Sequence, residues 1–334
     1  MFGHQYRVIL PGLIFSFLFF SFSCSTSDGT KDNQLTDADT DADADTDSDA
    51  DTDADADTDS DADTDADADT DSESDADGTP GCGTALDRPD PGEQQTMNVD
   101  GVTRYYLLDV PQNADNNAPL ALVFAMHGMG MVNSWMTGSY AFTSVSGGQA
   151  ITVYPHGSGT PPPESDTTWD GSPDSNDMAF IDQLLELLEN EYCIDPNRIF
   201  ATGFSMGGMF TNALGCERGN VFRAIAPTAG WGPGTYPGGE PNCGNQWDDL
   251  AVMVVHGTND SMCWYDLGVQ TVTFWSGYNG CDAVAEPIMG QCVSHSGCDQ
   301  PVSFCQHSGD HIVPALPGDD IDGDALIWEF FSQF

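Results

Sequence analysis

Ser205 stands between Gly203 and Gly207 in the stretch Ala-Thr-Gly-Phe-Ser-Met-Gly-Gly-Met at 201–209, after an apolar run and before a helix-like one. A serine hydroxyl is a poor nucleophile near neutral pH unless a neighbouring base takes its proton. Gly-x-Ser-x-Gly is the sequence form of a sharp strand-to-helix turn on which a serine projects outward, the glycines leaving space where side chains would collide. Two more residues could complete a proton relay. Asp260 closes His-Gly-Thr-Asn-Asp after the apolar run 250–257, and His311 closes Ser-Gly-Asp-His after the strand candidate 301–306. In such a set the serine attacks, the histidine carries the proton, and the carboxylate holds the imidazole in the required tautomer. Singly, Asp260 would be a turn residue and His311 a loop histidine; in this order, each past a strand end, they read as one set.

The attack creates an oxyanion, which needs preformed donors. The backbone N–H of Met206, next after the serine, is the first candidate, and that of Met129, in the His-Gly-Met-Gly turn after residues 119–126, is the second. His127 in that turn is read as structural. His307 competes with His311 for the role of base, but it directly continues a strand, whereas Gly309-Asp-His-Ile-Val-Pro314 is a loop with room for a projecting ring. His156, His256 and His295 rank lower. Trp264, Trp169 and Trp231, with Tyr265, lie on or near loops and could stack on a sugar or phenolic ring. Asp177 opens a helix and is read as a capping or loop residue.

These residues need strand ends to hold them. Residues 104–110, 120–126, 150–154, 196–202, 250–257 and 301–306 read as strands; 176–192, 206–216 and 324–331 read as helices. In the longest helix Phe180, Ile181, Leu184, Leu185, Leu187 and Leu188 face inward, and in the helix after Ser205 Met209, Phe210, Ala213 and Leu214 share a face. Strands alternating with helices imply a mostly parallel sheet covered on both sides, an α/β class. The Gly- and Pro-rich loops 157–175 and 230–247 are long enough to be suspected of covering a site.

The order Ser, Asp, His along the chain is that of α/β hydrolases and differs from those of the two common serine protease types. The blocks Tyr192-Cys-Ile-Asp-Pro-Asn-Arg-Ile-Phe-Ala-Thr-Gly-Phe-Ser205-Met-Gly-Gly-Met, Phe222-Arg-Ala-Ile-Ala-Pro-Thr-Ala-Gly230, His256-Gly-Thr-Asn-Asp260 and Ile327-Trp-Glu-Phe-Phe331 extend the likeness. Over about residues 81–334 the chain resembles the secreted feruloyl esterase and polyhydroxybutyrate depolymerase-like family of α/β hydrolases. The resemblance implies the α/β-hydrolase fold and a triad of Ser205, Asp260 and His311. Two departures fall beside the centre. Those relatives usually carry Gly-Gly-His-Thr-Trp-Pro where this chain has Gly309-Asp-His-Ile-Val-Pro314, and Asp-Pro-x-Val-Pro-Tyr where it has Asp260-Ser-Met-Cys-Trp-Tyr265.

Ahead of that domain, residues 1–23 carry Arg7 and a short apolar run at 8–22, as a signal peptide does. Ser21-Phe-Ser-Cys24 resembles a bacterial lipobox, although Leu would be usual first and a small residue at Phe22, so lipidation of Cys24 and cleavage to a soluble product stay open. Residues 24–80 contain a run, 37–77, in which every odd position is acidic, twenty Asp and Glu73, with only Ala, Thr or Ser between. Such a segment cannot build a core and repels itself, so it is expected to be a disordered, extended tether. The glycine that turns calcium-binding loops is missing from it. After position 77 there are 31 acidic residues against five arginines, and the chain's only lysine is Lys31. That excess excludes nucleic acid as a partner and disfavours polyanionic substrates.

Of ten cysteines, nine follow Cys24, which implies four bridges and one remaining thiol in an oxidising compartment, with the pairing open. Bridges in the cluster 281–305 should fix the histidine loop. No two cysteines stand two residues apart, so no zinc site is expected, and the chemistry calls for no cofactor. The expected protein is therefore a monomeric serine carboxylic ester hydrolase, extracellular or on a cell surface through a lipid anchor. It would release feruloyl or acetyl groups from plant polysaccharide, with a polyhydroxybutyrate polyester as the alternative substrate. A surface binding module retaining a dead hydrolase fold is the alternative of another class.

Overall fold

A computed structural model describes residues 78–233, 243, 250–288, 292–314 and 321–334. Those residues fall in one compact unit, Asp71–Phe334. The leader, Cys24 and the acidic run lie outside the described residues, as does most of loop 230–247.

In chain order the elements are β1 (Gln95–Val99), β2 (Val102–Asp109), β3 (Leu120–Met126), α1 (Phe142–Val145), β4 (Ala150–Pro155), β5 (Ser158–Gly159), β6 (Thr167–Thr168), α2 (Asn176–Glu191), β7 (Ile194–Phe204), α3 (Met206–Glu217), β8 (Ala224–Thr228), β9 (Ala251–Gly257), α4 (Tyr265–Tyr278), β10 (Ala285–Pro287), β11 (Cys292–His295), β12 (Val302–His307) and α5 (Gly323–Phe331). Ten strands form one sheet in the order β1-β2-β4-β3-β7-β8-β9-β12-β11-β10. From β4 to β12 every neighbouring pair is parallel; β1, β2, β11 and β10 join antiparallel at the edges.

The parallel strands are buried on both faces, which is why they read as unbroken apolar runs. In β3 the period of two sends Leu122, Phe124 and Met126 into a cluster with Phe180 and Leu184 of α2, Phe210 and Leu214 of α3 and Trp275 of α4. Ala121, Val123 and Ala125 meet Phe142 of α1 and Phe330 and Phe331 of α5 on the other face. Small residues on that side let Phe200 and Phe331 stack with centroids 4.5 Å apart. Leu185 and Leu187 of α2 are only partly buried, at the margin of the expected stripe.

Two readings change. Ser175, not Asp177, caps α2, its hydroxyl accepting from Met178 N–H at 3.1 Å. Asp177 is instead buried in an ion pair with Arg104 and also accepts from Ser158 Oγ at 2.8 Å and Asp170 N–H at 2.7 Å. Burial pulls the Arg104 guanidinium below its usual range against the opposing pull of Asp177. The pair closes the 157–176 loop onto the sheet. Trp169, a candidate substrate contact, is 1% exposed; it stacks on Phe210 at 4.8 Å and donates from Nε1 to the His127 carbonyl. A tryptophan in a Gly-rich loop thus plugs the core.

The five arginines of the described residues are all occupied structurally. Arg88 donates to the Pro111 and Ala114 carbonyls, Arg198 and Arg218 pair with Asp195 and Asp182, and Arg223 donates to Gln300 and lies over the Phe334 ring. Disulfides join Cys82 to Cys193, Cys216 to Cys243, Cys281 to Cys298 and Cys292 to Cys305, leaving Cys263 as the buried thiol outside them. Cys292 and Cys305 are direct cross-strand partners of β11 and β12.

Candidate active site

Ser205 sits between β7 and α3 with φ 56° and ψ −119°, a conformation L-residues adopt at a cost on the order of 1–3 kcal/mol. Packing forces it. A Cβ on Gly203 would lie 2.4 Å from the Gly207 carbonyl oxygen, and one on Gly207 would lie 2.4 Å from the oxygen of Met126. The turn is pinned from the neighbouring strand, Ser205 N–H donating to the Thr228 carbonyl at 3.0 Å.

His311 reaches this serine from 106 positions away, its Nε2 2.9 Å from Ser205 Oγ. Its Nδ1 lies 2.8 Å from Asp260 Oδ2. A carboxylate only accepts, so Nδ1–H donates to Asp260, leaving the Nε2 lone pair to receive the serine proton. The Phe204 ring packs against the imidazole at 4.8 Å. Asp260 Oδ1 accepts the N–H groups of Met262 at 2.9 Å and Cys263 at 2.8 Å, so both oxygens are engaged. Burial works to raise this carboxyl, but the His311 bond and charge and the two N–H groups prevail and hold it below the usual range.

Parallel pairing of β9 with β12 places Asp260 and His311 side by side. Their last register pair is His307 with Gly257; beyond it Thr258 N–H donates to the His307 carbonyl, Asn259 N–H to that of Gly309, and Asn259 Nδ2 to that of Ser308. A Cβ on Gly257 would lie 2.6 Å from the carbonyl oxygens of Gly309 and Asp310, so the loops touch backbone to backbone.

Of the other described histidines, His127, His156, His256 and His307 are buried. His127 Nε2 accepts from Gly157 N–H at 2.9 Å, which leaves the proton on Nδ1 to donate to the Gly128 carbonyl at 2.8 Å. Burial pushes His127 down to about 4, so the ring is neutral. His256 donates from Nε2 to the Cys263 carbonyl at 2.6 Å and stands 3.5 Å from Asp260 Oδ2, backing the acid loop. His307 is buried and accepts from Gly309 N–H at 3.2 Å.

On the serine's other side, a Cβ on Gly128 would lie 3.2 Å from Ser205 Cβ, so the β3 exit turn abuts the nucleophile. In that turn Gly130 and Met131 N–H groups are bonded, to Thr167 and Gly128 carbonyls, while the Met129 N–H has no partner among the described residues. Met206 is the first residue of α3, where an N–H has no intrahelical acceptor. Among the tryptophans, Trp264 is 56% exposed beside the acid loop. Trp231 is half-buried after Gly230, whose Cβ would lie 3.0 Å from the Ser205 carbonyl oxygen. Tyr265 stacks on Phe304 and donates to Gln306, so it belongs to the fold. Among the described residues no group of three or more His, Cys, Asp or Glu side chains is placed to hold a metal ion.

The chain is 34% identical over 260 residues to a probable feruloyl esterase C of Aspergillus flavus, covering 72% of this chain and 89% of that one. The chain belongs to the feruloyl esterase family. Feruloyl esterase C of Emericella nidulans is similar at 32% over 264 residues, 73% of this esterase and 90% of that one. Residues 139–232, which contain the Ser205 turn, match the prolyl oligopeptidase family. Acetyl xylan esterase from Aspergillus awamori superposes with a TM-score of 0.58 at 20% identity, covering 72% of this chain and 99% of that one. The fold is thus that of α/β hydrolases, and the esterase is a carboxylic ester hydrolase.

The sequence reading overlooked Ser261 and Asp310, which bond to each other between the acid and histidine loops.

Proposed function

We propose that this esterase releases feruloyl or acetyl groups from plant polysaccharide through an acyl-enzyme, with Ser205 as nucleophile, His311 as base and Asp260 as its orienting carboxylate. The observation that carries the reading is the unbroken chain of short contacts, 2.9 Å from serine to imidazole and 2.8 Å from imidazole to carboxylate. Ser205 Oγ attacks the ester carbonyl carbon as its proton passes to His311 Nε2. The Met206 and Met129 N–H groups receive the oxyanion; collapse expels the sugar alcohol, protonated by His311, and water then cleaves the acyl-enzyme by the same relay. The names of the relatives support the feruloyl ester, and the excess of acidic residues over arginines after position 77 supports a neutral polymer.

Trp264 offers an exposed aromatic face for the phenolic ring. The apolar leader and the four bridges support an extracellular or cell-surface location, with Cys24 the candidate for lipidation, residues 24–80 the tether and residues 81–334 the esterase domain acting as a monomer. The test is product release by the purified protein from methyl ferulate, acetylated xylan and polyhydroxybutyrate, with Ser205→Ala as control. Ferulate or acetate release that vanishes in the variant is expected. Preferential depolymerisation of polyhydroxybutyrate overturns the substrate, and an active S205A protein overturns the nucleophile; a binding module without catalysis would release nothing.

A further inference from the structure

We propose that Asp310 is a positioning residue, tying the histidine loop to the acid loop through Ser261 so that the His311 ring stays aligned between Asp260 and Ser205. The inference rests on the catalytic reading above. Asp310 Oδ1 accepts three bonds: from Ser261 N–H at 2.7 Å, from Ser261 Oγ at 2.9 Å and from His311 N–H at 2.8 Å. Ser261 Oγ also lies 3.2 Å from Oδ2. One carboxylate oxygen therefore joins the residue that follows Asp260 to the backbone of His311 itself, across 49 positions of sequence.

Apart from the Asp260–His311 bond itself, the remaining ties between the loops stop short of His311. Thr258 and Asn259 hold the carbonyls of His307, Ser308 and Gly309, and none of their bonds reaches His311. Asp310 is also chemically suited to the place. A carboxylate accepts several donors at one oxygen, and bonds from ionised acceptors are the stronger kind. The N–H and hydroxyl of Ser261 hold its carboxyl below the usual range, so it is charged at neutral pH.

Misplacing a reacting group by about 1 Å can cost on the order of 100-fold in rate. Asp310→Ala is therefore expected to lower kcat on methyl ferulate by about 10- to 100-fold at unchanged KM, with the thermal melt recording that the protein is folded. Asp310→Asn keeps an oxygen in place to accept the same three donors and is expected to retain kcat within about threefold. Ser261→Ala, which removes only the hydroxyl, should fall between, and S261A/D310A should lose no more than D310A, since both changes break one contact.

Wild-type kcat in D310A, a loss in D310N equal to that in D310A, or a raised KM at constant kcat each overturns the inference. If D310A fails to fold, S261A and D310N decide: S261A at wild-type kcat, or D310N as impaired as S261A or more so, overturns it. S205A and H311A, run in the same assay, separate the two levels. Activity in those variants defeats the catalytic reading, whereas their inactivity beside an unimpaired D310A defeats only the role of Asp310.

Discussion

Asp260 uses its two oxygens for different work, one on the imidazole and one on the backbone of its own loop. Asp260→Asn keeps the shape but presents an amide that can donate to Nδ1, favouring the tautomer whose Nε2 proton blocks the serine. A fall in kcat on the order of 10,000-fold is expected, measured on methyl ferulate. His307→Asn should leave the chemistry far less affected, since that ring is buried at the end of β12. Equal losses in the two variants would count against the assignment of the base. His127, in the β3 exit turn, couples stability to pH. His127 titrates near 4 in the fold, against about 6.5 in an unfolded chain, so the unfolded state binds the extra proton between those values. Its contribution is full above about 6.5 and lost as pH falls toward 4, up to about 3 kcal/mol. Urea titrations across that window should give a steep slope for the wild type and a flatter one for His127→Asn, whatever its absolute stability. Residues of this kind were partly legible. That Ser205, Asp260 and His311 come together could be expected because each follows an apolar run that reads as a strand. The bond from Asp310 to Ser261 could not, because it exists only where two loops meet.

At the scale of elements, the site is a property of strand ends. β7 leads into Ser205, β9 to Asp260 and β12 to His311, and the parallel register of β9 with β12 sets the distance between the last two. Gly257 is the hinge of that arrangement, with room for no side chain. Gly257→Ala is expected to abolish most ester hydrolysis and lower the melting temperature by pushing the histidine loop away; a fully active G257A protein would contradict the packing described. The central strands β3, β4, β7, β9 and β12 and the helices α2, α3 and α5 were readable from period and apolar content, whereas β8, five residues long, was not read as a strand. α4 was not, because only Gly268, Thr271, Val272, Trp275 and Ser276 are buried along it, a stripe too polar to register as amphipathic. Trp169 misled for the opposite reason: nothing in a Gly- and Pro-rich loop signals that one ring turns inward. Disulfide pairing was closed to sequence because Cys292 meets Cys305 through strand register.

At the scale of the whole molecule, acidic residues far outnumber cations. The self-repulsion of so much like charge opposes compaction, and dissolved salt screens it over about 10 Å at 0.1 M. Thermal melts should therefore shift upward between about 0.02 and 0.5 M sodium chloride, with an unchanged midpoint arguing that the charges are already balanced locally. The few cations that remain are arginines built into the frame, bound to carbonyls, carboxylates or a ring. With Lys31 the last lysine, reagents that seek primary amines find nothing to modify anywhere between β1 and α5. Immobilising the protein on an amine-reactive resin would accordingly grip every molecule by the same stretch ahead of the fold, leaving the catalytic mouth chemically untouched.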